Sequence, residues 1–159
     1  MLPHEICRQL GESRFKEMFM SLNAAAMKQS MLEGGLPAVR TAAQVSIRKR
    51  NEDWARRLWT SLQSERPTPC KLFLFEWLRQ TKTDLLVTFL DSIGVPHQKG
   101  LTDADFMKDV PEDRLLSAAK ALLAHPKFDH RDVAAYLLFL DYTNETERFA
   151  SLDLDKQLS

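Results

Sequence analysis

His125, Asp129, His130 and Asp132 form the one cluster in this 159-residue chain whose residue types suit metal ligation or proton transfer. A zinc site asks for histidines at helical i, i+4 spacing or for a Cys/His framework. Pro126 interrupts the chain between the two histidines, so they share no helix face. Asp129 reads instead as a helix N-cap, Asp132 as a first-turn acid, and His125 as a residue suited to a helix C-terminus. His97 follows Gly94-Val95-Pro96 in a loop, where rigidly held histidines can catalyse. No nucleophile or carboxylate partner for it is identifiable by spacing. Asp103, Asp105 and Asp109 resemble a calcium loop only in charge, since the central glycine and closing glutamate are missing. Cys7 and Cys70 match neither a metal-ligand spacing nor a disulfide framework, so free thiols are expected. A Gly-rich phosphate loop, Gly-x-Ser-x-Gly and His-Glu-x-x-His are all absent from the sequence. No catalytic residue, metal or cofactor is assigned.

Two other groups of residues suit binding. Arg48-Lys49-Arg50 with Arg56 and Arg57, interleaved with Trp54 and Trp59, is the best candidate for nucleic-acid contact. Its charge is spread round a helix and mixed with Glu52 and Asp53, whereas a nucleic-acid surface concentrates charge on one face. Nucleic acid is therefore an unfavoured partner. Met18, Met20, Met27 and Met31 cluster in the first helical stretch, and flexible thioethers suit adaptable contact surfaces as well as irregular cores.

The elements that must hold these residues are helical throughout. Phe15, Phe19, Leu22 and Ala26 recur at spacings of four, three and four, which predicts a first helix over about 3–32, with Gly11 a weak point. Gly34-Gly35 stops it and Pro37 opens the next. Val39, Ala43, Ile47, Trp54, Leu58 and Leu62 form one apolar stripe over 37–64, a helix of about 40 Å. Thr68 and Pro69 then start a helix carrying Leu72, Phe73, Phe75, Trp77 and Leu78. Thr83 or Asp84 caps another, ended by Gly94; Pro111 opens a third, closed at His125-Pro126. Asp129 caps the last, whose Val133–Leu140 run is apolar nearly all round and belongs in a core. Leu85–Asp91 weakly echoes Ala135–Asp141, which reads as shared core composition rather than as a repeat array.

The fold class expected is all-α: a long N-terminal helical hairpin, 1–66, then a compact bundle of four or five shorter helices, 67–141, and a polar tail, 142–159, with a frayed end. A hydrophobic fraction of 44% and a charged fraction of 28% are those of an ordinary globular chain. Formal net charge is zero, so no global field draws nucleic acid or an anionic membrane. The zero conceals a basic front, eleven Lys/Arg against seven Asp/Glu over 1–67, and an acidic back, seven against twelve over 101–159. The longest apolar run, eight residues, is far short of a membrane span, and Met1–Arg8 has no signal-peptide core. No membrane partner and a cytoplasmic location are expected.

The function expected on these grounds is that of a non-enzymatic helical interaction or scaffold protein. Its contact surface is placed at Met18, Met27, Met31, Trp54, Leu58 and Leu62. Because two helices cannot enclose two apolar stripes, a homodimer through the hairpin is expected, with packing of the C-terminal bundle on the hairpin as the competing solution. Two alternatives stand beside it: a small helical enzyme with a site around His97, His125 and His130, and nucleic-acid binding through the basic helix 48–57.

Overall fold

The computed structural model describes residues 1–37, 46–103 and 105–159. It is all-α: seven α-helices, short 3-10 turns and no strand among these residues, beyond one isolated bridge between Gln98 and Leu101. The chain divides into two compact units, Pro3–Thr81 and Lys82–Ser159 with Met1–Leu2.

The N-terminal unit holds α1 (Pro3–Met20), α2 (Ala24–Glu33), α3 (Ile47–Leu62) and α4 (Lys71–Thr81). The helix expected over 3–32 is broken twice. Gly11 takes a left-handed φ of 83° and kinks α1. At 21–23 local polar bonds compete with the helix: Ser21 Oγ donates to the Met18 carbonyl, 2.6 Å, and Asn23 Oδ1 accepts from Ala26 N–H, 2.9 Å, as the N-cap of α2. Gly34 and Gly35 do end α2, the N–H of Leu36 returning to the Met31 carbonyl at 2.9 Å. The helix expected over 37–64 is also shorter. Ser46 caps it through its Oγ and the N–H of Lys49, so α3 is about 24 Å long rather than 40 Å. Val39 and Ala43 lie outside the described residues, and Ile47 is 69% exposed, so the described stripe begins at Trp54.

α4 was expected in the second domain, beyond residue 66; instead it packs on α1 and α2. Phe73 joins Phe15 and Phe19 at ring separations of 4.8 and 6.3 Å, and Phe15 also meets Trp59 of α3 at 5.5 Å. Trp54, Leu58 and Leu62 are enclosed within the unit, α3 packing on α1 and α2. The uncovered stripe that motivated a homodimer is not present among the described residues. Polar bonds fix the same arrangement: Arg8 Nε donates to the Leu62 carbonyl at the end of α3, 2.6 Å, and both Glu33 oxygens accept from Leu72 N–H at the start of α4, 3.1 and 3.2 Å. Thr68, expected as that cap, is buried and bonded to Ser61 Oγ at 2.8 Å.

The C-terminal unit is built on α5 (Thr83–Ile93), α6 (Glu112–Leu123) and α7 (His130–Thr143). The N-cap position of α5 falls on Lys82, one residue before Thr83, and Lys82 pairs with buried Asp132 of α7. Gly94 ends α5 as expected, in the left-handed region at φ 71°. α7 is central, with Val133 to Leu137, Phe139 and Leu140 buried. The tail does not fray. The Asp141 carboxylate accepts from Thr146 Oγ1, Arg148 N–H and Phe149 N–H at 2.8, 2.9 and 3.1 Å, turning the chain back on α7. Phe149, Leu154 and Leu158 are then buried, and Phe89 meets Tyr136 and Phe149 edge-on at 5.7 and 6.2 Å.

Candidate functional site

The six residues expected as a contact surface are core. Met18, Met27, Met31, Trp54, Leu58 and Leu62 are each no more than 3% exposed, because α3 packs on α1 and α2 and α4 closes over α1 and α2. The histidine cluster does not converge. Asp132 turns inward to Lys82, while Asp129 caps α7 through Arg131 N–H at 2.9 Å. His130 Nδ1 lies 3.9 Å from an Asp129 oxygen at the surface. His125 accepts from Lys127 N–H at 3.2 Å and lies against Phe128. Among the described residues no three His, Cys, Asp or Glu side chains meet as metal ligands would.

His97 does have a carboxylate neighbour that spacing did not reveal. Its Nε2 lies 2.8 Å from Asp91 Oδ1, and its Nδ1 accepts from Gly100 N–H at 3.1 Å. An accepting Nδ1 assigns the proton to Nε2, which donates to Asp91. Both nitrogens are thus engaged in holding the 94–101 loop. A concavity of about 580 Å³ opens on the same loop, lined by Pro96, Asp103, Phe106 and Arg114 among others, but His97 is not in its wall.

A larger groove of about 890 Å³ lies in the N-terminal unit between α1 and α3. Helical geometry makes it. Ser13, Lys16, Glu17 and Met20 follow the i, i+3, i+4, i+7 pattern along one face of α1, and Arg48, Glu52 and Ala55 follow i, i+4, i+7 along α3. Met20 supplies apolar surface over the fully buried Ala55. Lys16, Arg48, Lys49 and Arg56 supply cations, with Glu17, Glu52 and Asp53 set among them.

Several of these charges are already paired: Lys16 with Glu12 at 2.6 Å, Arg48 with Glu52 at 3.0 Å, and Arg56 with Asp53. Such exposed pairs are weak and exchangeable, typically below ~1 kcal/mol. Arg50 lies over the Trp54 ring, 4.6 Å from its centre, and Arg57 donates to the Pro37 carbonyl at 3.0 Å. The Lys49 side chain has no hydrogen-bond or ion-pair partner among the described residues. Arg48, Lys49 and Arg50 all fall in the first turn of α3, where the positive end of the helix dipole disfavours cations. The sequence reading counted Met20 among the methionines but did not separate it from buried Met18, two residues away and on another face. The 13-16-17-20 spacing was the signal available.

Compared with known proteins, the chain matches no family model, no curated protein and no solved structure. No helix of the described residues is long and apolar enough to cross a membrane.

Proposed function

We propose that the protein is a non-enzymatic interaction module, and that its N-terminal unit receives an acidic amphipathic segment of a partner protein in the groove between α1 and α3. The observation that carries this reading is the groove itself: Met20 within it, four cations around it, and a volume suited to side chains of a docked helix. The whole unit has the matching sign, with thirteen Lys/Arg against eight Asp/Glu over 3–81, a net of +5. Clustering three cations against the dipole of α3 costs stability, and residues that break a local rule tend to mark functional positions.

A protein segment fits better than nucleic acid. Glu17, Glu52 and Asp53 interrupt the cations at intervals that a uniform phosphate backbone would meet as repulsion. A helix carrying both signs, with acid in excess, can place each charge opposite its complement. The enzyme alternative loses its best residue, because both His97 nitrogens are committed to Asp91 and Gly100.

Fluorescence anisotropy tests the reading with a labelled synthetic helix bearing leucines on one face and glutamates on the other. Saturable binding that weakens with salt is expected, and Lys49→Glu should weaken it about tenfold, or about 1.4 kcal/mol. A helix with lysines replacing the glutamates should not bind. No saturable binding at low salt would sink the proposal. Equal competition by duplex DNA would replace it with the nucleic-acid reading.

A further inference from the structure

The chain has two cysteines, far apart in sequence. Cys7 lies near the start of α1, and Cys70 immediately precedes α4. The fold of the N-terminal unit brings them together: α1 packs on α4, both cysteines are fully buried free thiols, and each is a close neighbour of the other. The backbone holds Cys70 firmly. It takes a left-handed φ of 60°, its carbonyl accepts from Leu74 N–H at 3.1 Å, and Glu33 fixes Leu72 two residues on. That conformation is uncommon for a residue other than glycine and persists where surrounding structure imposes it.

We propose that Cys7 and Cys70 are a redox pair, closed to an intramolecular disulfide by a small-molecule disulfide of the glutathione type, tying the start of α1 to the start of α4. One thiolate attacks the small disulfide, forming a mixed disulfide and releasing one small thiolate. The second cysteine attacks the mixed disulfide and releases the other. Two electrons pass from the pair to the small disulfide, and the two thiol protons end on the two small thiols released.

Burial sets the tempo. It pushes the Cys7 thiol well above its ordinary range, aided by neighbouring Cys70 and the charge of Glu33, so the reactive thiolate is scarce while the unit is closed. Exchange proceeds from states in which the start of α4 has opened. The same shielding protects the disulfide from reductants once formed. The pair is a slow latch that retains either state. It stands independently of the groove reading.

The test incubates the full-length reduced protein with glutathione disulfide under native conditions and follows intact mass, peptide mapping and Tm. One species lacking two hydrogens is expected, with Cys7 and Cys70 in the same cross-linked peptide pair. Its Tm should lie at least about 5 °C above that of the reduced chain, as closing a loop of this length predicts. Sub-denaturing urea should accelerate closure. Cys7→Ala and Cys70→Ala should each gain a single glutathione adduct and no rise in Tm. Peptide mapping of the unmutated chain decides the matter if either variant fails to fold. Stable glutathione adducts on both cysteines, a closed chain that melts lower than the reduced one, or thiols that stay reduced through the urea range that opens the unit would each overturn the proposal.

Discussion

Gly34 shows how one missing side chain fixes a loop. A Cβ there would clash with Thr68 Oγ1 and lie 2.9 Å from Thr68 Cγ2, and Thr68 is itself buried and bonded to Ser61. Gly34→Ala is expected to cost about 1–3 kcal/mol by overpacking, read from urea unfolding. Thr68→Ala removes both clashing atoms, so the double variant should cost clearly less than the two single changes added together. Glu76 offers a second residue-scale outcome. Burial works to raise its pKa, but the bonds from Arg79 and Gln80, at 2.6 and 2.7 Å, and the Arg79 charge outweigh it, and the carboxyl lies below its ordinary range. A depressed acid contributes stability above its unfolded pKa, about 4.3, and loses it as pH falls through the folded value. Between about pH 6 and pH 3 the unmodified protein should therefore lose more stability than Glu76→Gln; equal slopes in denaturant titrations would contradict the assignment.

Among the elements, the caps and the tail carry the sharpest expectations. Glu33 joins α2 to α4 by accepting from Leu72 N–H, and Glu33→Ala should destabilise the N-terminal unit by roughly 1–2 kcal/mol, with Glu33→Gln recovering part of the loss, measured by circular dichroism on heating. Removing 149–159 strips Phe149, Leu154 and Leu158 from the face of α7 and should cost more than about 4 kcal/mol. A truncated chain as stable as the full one would show that the turn at Asp141 is ornamental. These elements also mark where the sequence was legible. Periodicity marked each helical stretch but merged α1 with α2, and Gly94 and Asp129 announced their roles as caps, because those signals are local. The break at Ser21–Asn23 was hidden inside a good apolar pattern, since short-range polar bonds decided it. What completes the pair of α1 and α3 was hidden too, because nothing in their apolar stripes says whether α2 and α4 or a second chain will cover them. Of the groove, Met20, Arg48, Lys49 and Arg56 were visible as residues suited to binding, with Glu52 and Asp53 among them; the meeting of α1 with α3 that gives them a shape is tertiary.

At the scale of the whole molecule the charges separate with the units. The N-terminal unit carries +5, while the C-terminal unit has nine Lys/Arg against fourteen Asp/Glu, or −5. Near the isoelectric point of about 6.9 the molecules attract one another through these opposed regions. Light scattering should give a second virial coefficient that is least favourable near neutral pH at low ionic strength and rises on adding salt, because exposed charges beyond about 8 Å are screened at 0.15 M. The division has a further consequence, for synthesis. The first unit has all its core residues by Thr81, whereas the second needs Leu158. At translation rates of roughly 5–20 residues per second, the first unit waits several seconds beside a nascent chain whose own core is incomplete. Through that interval the growing polypeptide exposes the apolar face of α7 with nothing yet made to cover all of it.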